Sequence, residues 1–318
     1  MALPQDRPVR GGGQLTPPDW LWIPLTVGAA SFQAARTAAQ KWLSGRLSTA
    51  AATYVRYLFA LPVAAAYAAV LAFGFGAELP APGPAALAWA CTGAIGQIGG
   101  TFFLLKALEA RNFAVGVAYS KTDVVQAALF EALVMGAAVT WGAAAGIAIA
   151  TFAVMLMSAR GERPLRSLLE GLGERSALFG LLSGASLALS GVAVRGTVLA
   201  MEGADIAAAS AVALLVVLSL QTVAMGAWLL AREPGAFGAI AGAWRASAFA
   251  GIVGGLGSLC WFFALGLQQV AYVRTLGLVE ILATVALSRF LFREEPKRRE
   301  LIGIAILLAG IALVLNAG

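Results

Sequence analysis

From residue 20 to the end, the chain alternates apolar stretches of about 20 residues with short connections that hold most of its charge, glycine and proline. That length spans a hydrocarbon core near 30 Å thick at about 1.5 Å of rise per helical residue. The stretches predict helices at about 20–41, 51–73, 85–108, 112–135, 138–158, 176–199, 205–230, 246–267, 271–292 and 300–317. No segment shows the two-residue alternation of a barrel strand, so each span must satisfy its own backbone as a helix. Trp20, Trp22, Trp42, Trp89, Trp141, Trp228 and Trp244 fall near span ends, as an interfacial aromatic belt requires, whereas Trp261 lies inside a span. The expected fold is an all-α integral membrane protein with ten transmembrane helices.

The spans divide five and five. The longest polar connection, 159–175, separates a first unit at 20–158 from a second at 176–318, and residues 1–19 form a Pro- and Gly-rich tail expected to be disordered. An offset of 157 residues carries Gly100-Thr101 onto Gly257-Ser258, Ala107-Leu108 onto Ala264-Leu265, Asp123 onto Glu280 and Gly146 onto Gly303. Five is odd, so a repeated half enters the membrane in the opposite orientation. Such inverted repeats usually place a binding site at the midplane between them.

Composition supports lipid as the solvent. The chain is 60% hydrophobic and 12% charged, against about 25% charged in soluble domains. The net charge of +6 does not point to nucleic acid, because the charges sit at span ends, where they meet lipid headgroups. Lys41, Arg46, Lys106, Arg111, Arg160, Arg163, Arg166, Arg175, Arg232, Arg245, Arg293, Lys297, Arg298 and Arg299 fall on one side of the predicted topology; Arg7 and Arg10 fall on the other. By the positive-inside rule both termini lie outside the cytoplasm. Arginine outnumbers lysine 18 to 4, which suggests a GC-rich bacterial genome and hence a multi-pass protein of a bacterial inner membrane. The chain has no histidine, and Cys91 and Cys260 lie in separate spans as small core residues. No cofactor, metal or Walker sequence is expected, and an intramembrane enzyme is disfavoured.

Candidate chemistry sits at mid-span. A carboxylate at that depth costs roughly 2.5–3.5 kcal/mol on insertion scales. Lys121 and Asp123 in the fourth span and Glu280 in the ninth lie about 13–17 Å from their helix ends. Lys121 suits an anionic group, and Asp123 or Glu280 an amine or a coupling proton. The structural alternative is a buried Lys121–Glu280 pair that only fixes packing. Arg36, Arg56, Arg195, Arg274 and Arg289 lie near span ends, where snorkelling is the plain explanation; Arg36 and Arg274 are also placed to draw an anion to a cavity mouth. Gln33, Gln97 and the Ser183–Ser186–Ser190 face serve either a substrate or interhelical hydrogen bonds. Tyr119 and Trp261 offer aromatic faces to an organic molecule or a cation. The Gly96/Gly100, Gly142/Gly146 and Gly251/Gly255 pairs predict close helix packing.

The five-plus-five arrangement, the Ala107-Leu108 and Ala264-Leu265 pairs, the Tyr119–Val124 run and the Phe290–Pro296 segment before Gly303 together resemble the drug/metabolite transporter superfamily, in particular its EamA-type ten-helix carriers. Val124 and Ile281 stand where such carriers often have proline. The resemblance implies a secondary carrier with alternating access to a central cavity built by helices 1–4 and 6–9. Both charge signs at mid-span favour as its substrate a small organic metabolite such as an amino acid or similar zwitterion, with efflux one of the two directions open, and the excess of buried base offers an organic anion or sugar phosphate as the alternative. Its partners would be the bilayer, the substrate and a proton or counter-substrate, with the protein a monomer or weak dimer.

Overall fold

The computed structural model describes residues 17–43, 46–109, 113–158, 164–283, 285–286 and 298–317. Most of the predicted tail, Arg289 and the Phe290–Pro296 segment lie outside them. The described chain is helical throughout, with helices α1 (Trp22–Leu43), α2 (Thr49–Leu58), α3 (Leu61–Ala69), α4 (Pro84–Glu109), α5 (Phe113–Ser120), α6 (Asp123–Met135), α7 (Trp141–Ser158), α8 (Pro164–Gly171), α9 (Arg175–Leu199), α10 (Ile206–Arg232), α11 (Ala236–Gly242), α12 (Trp244–Leu267) and α13 (Val270–Gly277). A helical stretch described at 280–283 (α14) and helix α15 (Arg298–Ala317) follow. Among the described residues, seven helices are long and apolar enough to cross a membrane: 49–74, 84–107, 141–158, 175–199, 206–232, 244–267 and 300–317.

Local chemistry sets several of the ends. Ser48 caps α2 by accepting from the Ala51 amide at 3.1 Å, and Asp205 caps α10 by accepting from Ala207 at 2.8 Å. Gly136, at φ 70°, closes α6 in the left-handed conformation that a side chain resists.

Beside the second span, which divides into α2 and α3 at Phe59-Ala60 while Phe59 still donates four residues back to Val55, two predicted spans are broken. The fourth is α5 and α6, interrupted at Lys121-Thr122, and the ninth is α13 and α14, interrupted at Leu278-Val279. The 157-residue offset that carries Asp123 onto Glu280 also carries the first break onto the second. Both breaks have the same backbone pattern. Lys121 and Thr122 donate to Ala118 and Tyr119, and Leu278 and Val279 to Thr275 and Leu276, so each bond reaches back three residues rather than four. At the first break the Ser120 and Thr122 hydroxyls take the Val117 and Tyr119 carbonyls at 2.8 and 2.7 Å, competing with the helix for its own acceptors. Lys121 and Asp123 therefore do not share one continuous helix. Lys121 stands in a turn, and Asp123 is the first residue of α6, where the positive end of the helix dipole favours an anion.

Two connections hold more structure than predicted. The 159–175 linker contains α8, and the connection before α12 contains α11. In α8, Leu168 is buried while Leu165 and Leu169 are exposed, and Arg166 pairs with Glu170 at 2.6 Å one turn on.

Small residues set how closely the helices approach. Helix α4 packs along α9, α1 along α12, and α7 along α15. A Cβ on Gly146 of α7 would lie 2.6 Å from the Gly310 carbonyl of α15. The Gly96/Gly100 pair meets Ser186 and Leu187 of α9, and Gly251/Gly255 meets Phe59 and Ala60 at the α2–α3 junction. Gly146→Leu should push α7 from α15 and destabilise the protein by about 1–3 kcal/mol, read as a lowered thermal midpoint in detergent. An unchanged midpoint would show that α15 yields freely. Both cysteines are free; Cys91 is exposed rather than in the core, and Cys260 is half-buried beside Gly28 of α1.

Candidate functional site

The two broken helices face a cavity of about 360 Å³, within the size range of small-molecule sites. Its walls come from α1, α2, α4, the α5–α6 break, α9, α12, α13 and the start of α14. Helices α1 and α12 run antiparallel: Gly28 faces Cys260, Gly257 faces Phe32, and Gly254 faces Arg36. Arg36 is seven residues before the end of α1 and Arg56 seven after the start of α2, about 10 Å in from that end of the bundle. The cavity thus reaches toward the end that carries the basic connections.

Of the residues singled out from sequence, Gln33, Arg36, Arg56, Gln97, Lys121, Asp123, Ser190, Trp261, Arg274 and Glu280 line this cavity. Asp123 pairs with Arg274 at 3.5 Å, and Arg274 also donates to the Leu187 carbonyl at 2.8 Å, which ties α13 to both α6 and α9. This replaces the Lys121–Glu280 pair considered from sequence: the mid-span acid of the first unit is matched by an arginine that the sequence placed near a helix end. Glu280 accepts from the Gln33 amide at 2.6 Å. The Arg274 guanidinium stands 5.9 Å from the Trp261 ring centroid, so that aromatic face meets the protein's own cation. Gln97 accepts from Gln221 of α10 at 2.7 Å, a fully buried partner that sequence reading passed over.

Two candidates lie elsewhere. The Tyr119 hydroxyl donates to the Leu168 carbonyl of α8 at 3.1 Å, in a small cluster with Val115 and Ala177. Ser186 donates to Leu182 of its own helix, while Ser183 and Ser190 on the same face donate to the Gly100 and Gly93 carbonyls of α4 at 2.8 and 2.9 Å. The serine face therefore binds two helices together, which the interhelical reading of such residues anticipates.

A second polar centre lies at the opposite end of the bundle. Glu131 of α6 is 0% exposed and pairs with Arg195 of α9 at 3.1 Å. Its other oxygen accepts from the Val270 amide at 2.8 Å, the first residue of α13. Arg195 donates to the Leu265 and Gln268 carbonyls at 2.7 and 2.5 Å, the end of α12. One acid and one base thus cap the two helix ends that meet in the α12–α13 turn. Arg195 was expected to snorkel. Its head instead finds a carboxylate at the same end of a neighbouring helix, which satisfies the charge inside the bundle. Glu131 gave no sequence signal beyond being an acid inside an apolar run.

Compared with known proteins, residues 175–316 match the family model of EamA-like transporters. No protein of curated function matches the chain by sequence. A solved crystal structure superposes over 93% of this chain and 98% of its own with a TM-score of 0.65 at 18% identity, a likeness of fold.

Proposed function

We propose, from the match of residues 175–316 to the family model of EamA-like transporters, that the chain is a secondary carrier moving a small organic metabolite, an amino acid or similar zwitterion, by alternating access to the cavity. The observation that carries this reading is the juxtaposition of both charge signs, Lys121 with the Asp123–Arg274 pair, at a helix break inside that cavity. Intramembrane charges that face a cavity usually mark a transport path, and broken helices bring polar backbone to such sites.

An inverted repeat is supported by the two breaks at one offset and by two helix pairs, α1 with α12 and α4 with α9, which exchange under it. Ten crossings follow if α1, the α5–α6 unit and the α13–α14 unit each cross beside the seven long helices. In this reading the cavity is open toward the cytoplasm and both termini lie outside. The Glu131–Arg195 centre closes the far end, and export or import requires that it part while the cavity mouth narrows. Asp123 or Glu280 would take a coupling proton, or a second metabolite would return in exchange, in a bacterial inner membrane with the carrier a monomer or weak dimer.

A thermal-shift screen of the purified protein against metabolites tests the proposal, because a ligand bound only to the folded state raises its stability. Zwitterionic amino acids should raise the midpoint of the wild type by about 2–4 °C at concentrations well above Kd, and Lys121→Met should lose most of that shift at an unchanged basal midpoint. An equal shift in the variant would place binding outside the cavity.

A further inference from the structure

The cavity's charges are unequally matched. Arg274 has Asp123, but Arg36 and Arg56, on the same wall, have no ion pair and no hydrogen bond among the described residues. The Arg36 Nε is buried and unpartnered. The two side chains also converge. A Cβ on Gly254 of α12 would lie 3.0 Å from the Arg36 stem and 3.6 Å from the Arg56 stem, so both pack across the same glycine. Arg56 gains partial relief from the Tyr57 ring, whose centroid is 4.9 Å from its guanidinium carbon. Glu280 attracts Arg36 through space, but no hydrogen bond joins them among the described residues.

Two like charges carried on stems that share one glycine repel, and a buried donor without an acceptor carries a desolvation cost. One oxyanion resolves both problems, because each guanidinium offers a planar fork of parallel N–H donors matched to carboxylate or phosphate oxygens. We propose that Arg36 and Arg56 form an oxyanion subsite that holds the carboxylate or phosphate of the carried molecule, leaving Asp123 and Glu280 to face its remaining groups. Gly254 is needed there because a side chain would displace the Arg36 stem. The subsite rests on the carrier reading and narrows its substrate to organic molecules that present an oxyanion. Carboxylate preference keeps the amino-acid class, and phosphate preference selects the sugar-phosphate class.

The test uses the full-length protein in detergent free of phospholipid, with ionic strength held by sodium chloride. Thermal midpoints are followed against sodium acetate, sodium phosphate and methylammonium chloride. Acetate or phosphate should raise the wild-type midpoint by about 2–4 °C. Arg36→Gln and Arg56→Gln should each weaken half-saturation about tenfold or more, since each removes a charge-assisted donor pair. Arg36→Lys and Arg56→Lys keep the charge, guard against misfolding, and should fall between. Arg175→Gln, exposed and outside the cavity, should match the wild type. The subsite is overturned if neither anion shifts the midpoint, or if the shift survives both glutamine variants. It is also overturned if added phosphatidylglycerol displaces the soluble anions, which would assign the pair to a lipid headgroup. Stabilisation by methylammonium alone rejects the subsite yet leaves a carrier of cations standing, whereas the carrier reading itself fails in the metabolite screen.

Discussion

Glu131→Ala is expected to destabilise the protein by about 3–5 kcal/mol, the range for breaking a buried ion pair by removing one partner. Glu131 is 0% exposed and Arg195 15% exposed, so the arginine left behind keeps its charge with little water to solvate it. The variant also strips the Val270 amide of its acceptor and uncouples α6 from the start of α13. Glu131→Gln retains an acceptor for Val270 and should recover part of the loss. The double change Glu131→Leu with Arg195→Met removes both charges and should recover more, because buried pairs are often replaceable by apolar groups of similar volume. Denaturant unfolding in mixed micelles reads all three. A loss below about 1 kcal/mol for Glu131→Ala would mean that water reaches this end of the bundle and that the pair does not close it.

Asp123→Asn is expected to leave the protein folded and to lower solute counterflow in liposomes about a hundredfold. The amide keeps the size and hydrogen-bonding capacity of the side chain but leaves Arg274 without its counter-charge, so the guanidinium competes for the substrate's anionic group or folds onto it. Loss of one strong charged contact of about 3 kcal/mol corresponds to about two powers of ten. Arg274→Gln in the same background should restore charge balance and some flux, the coupling expected of residues in direct contact. Flux unchanged by Asp123→Asn would show that the ion pair serves packing alone.

The long helices were legible because an apolar run of membrane length has few alternatives, and the 157-residue offset was legible because small and acidic positions repeat. The breaks at Lys121-Thr122 and Leu278-Val279 were not. Val124 and Ile281 follow the acids where a proline would have announced an interruption. The first break is made instead by two hydroxyls that cap their own helix carbonyls, and the second lies where Gly277 admits the Trp261 ring. Spacing along one helix also says nothing of partners on another. Arg195 and Arg274 both sit within a few residues of a helix end, which reads as snorkelling, yet each reaches a carboxylate on α6. Tyr119 looked like part of the site because it adjoins Lys121 in sequence, but one turn of α5 directs it to α8.

A carrier of this kind needs its cavity to be the path of the molecule that moves. The substitution Ser258→Cys puts a thiol on α12 at a position that lines the cavity, and in a background with Cys91 and Cys260 replaced by serine it measures this most directly. In liposomes, a membrane-impermeant maleimide should label the introduced thiol at a rate that falls several-fold in the presence of an amino acid that undergoes counterflow, and Asp123→Asn should abolish that protection. A labelling rate untouched by every compound that undergoes counterflow would place the path elsewhere and contradict the account.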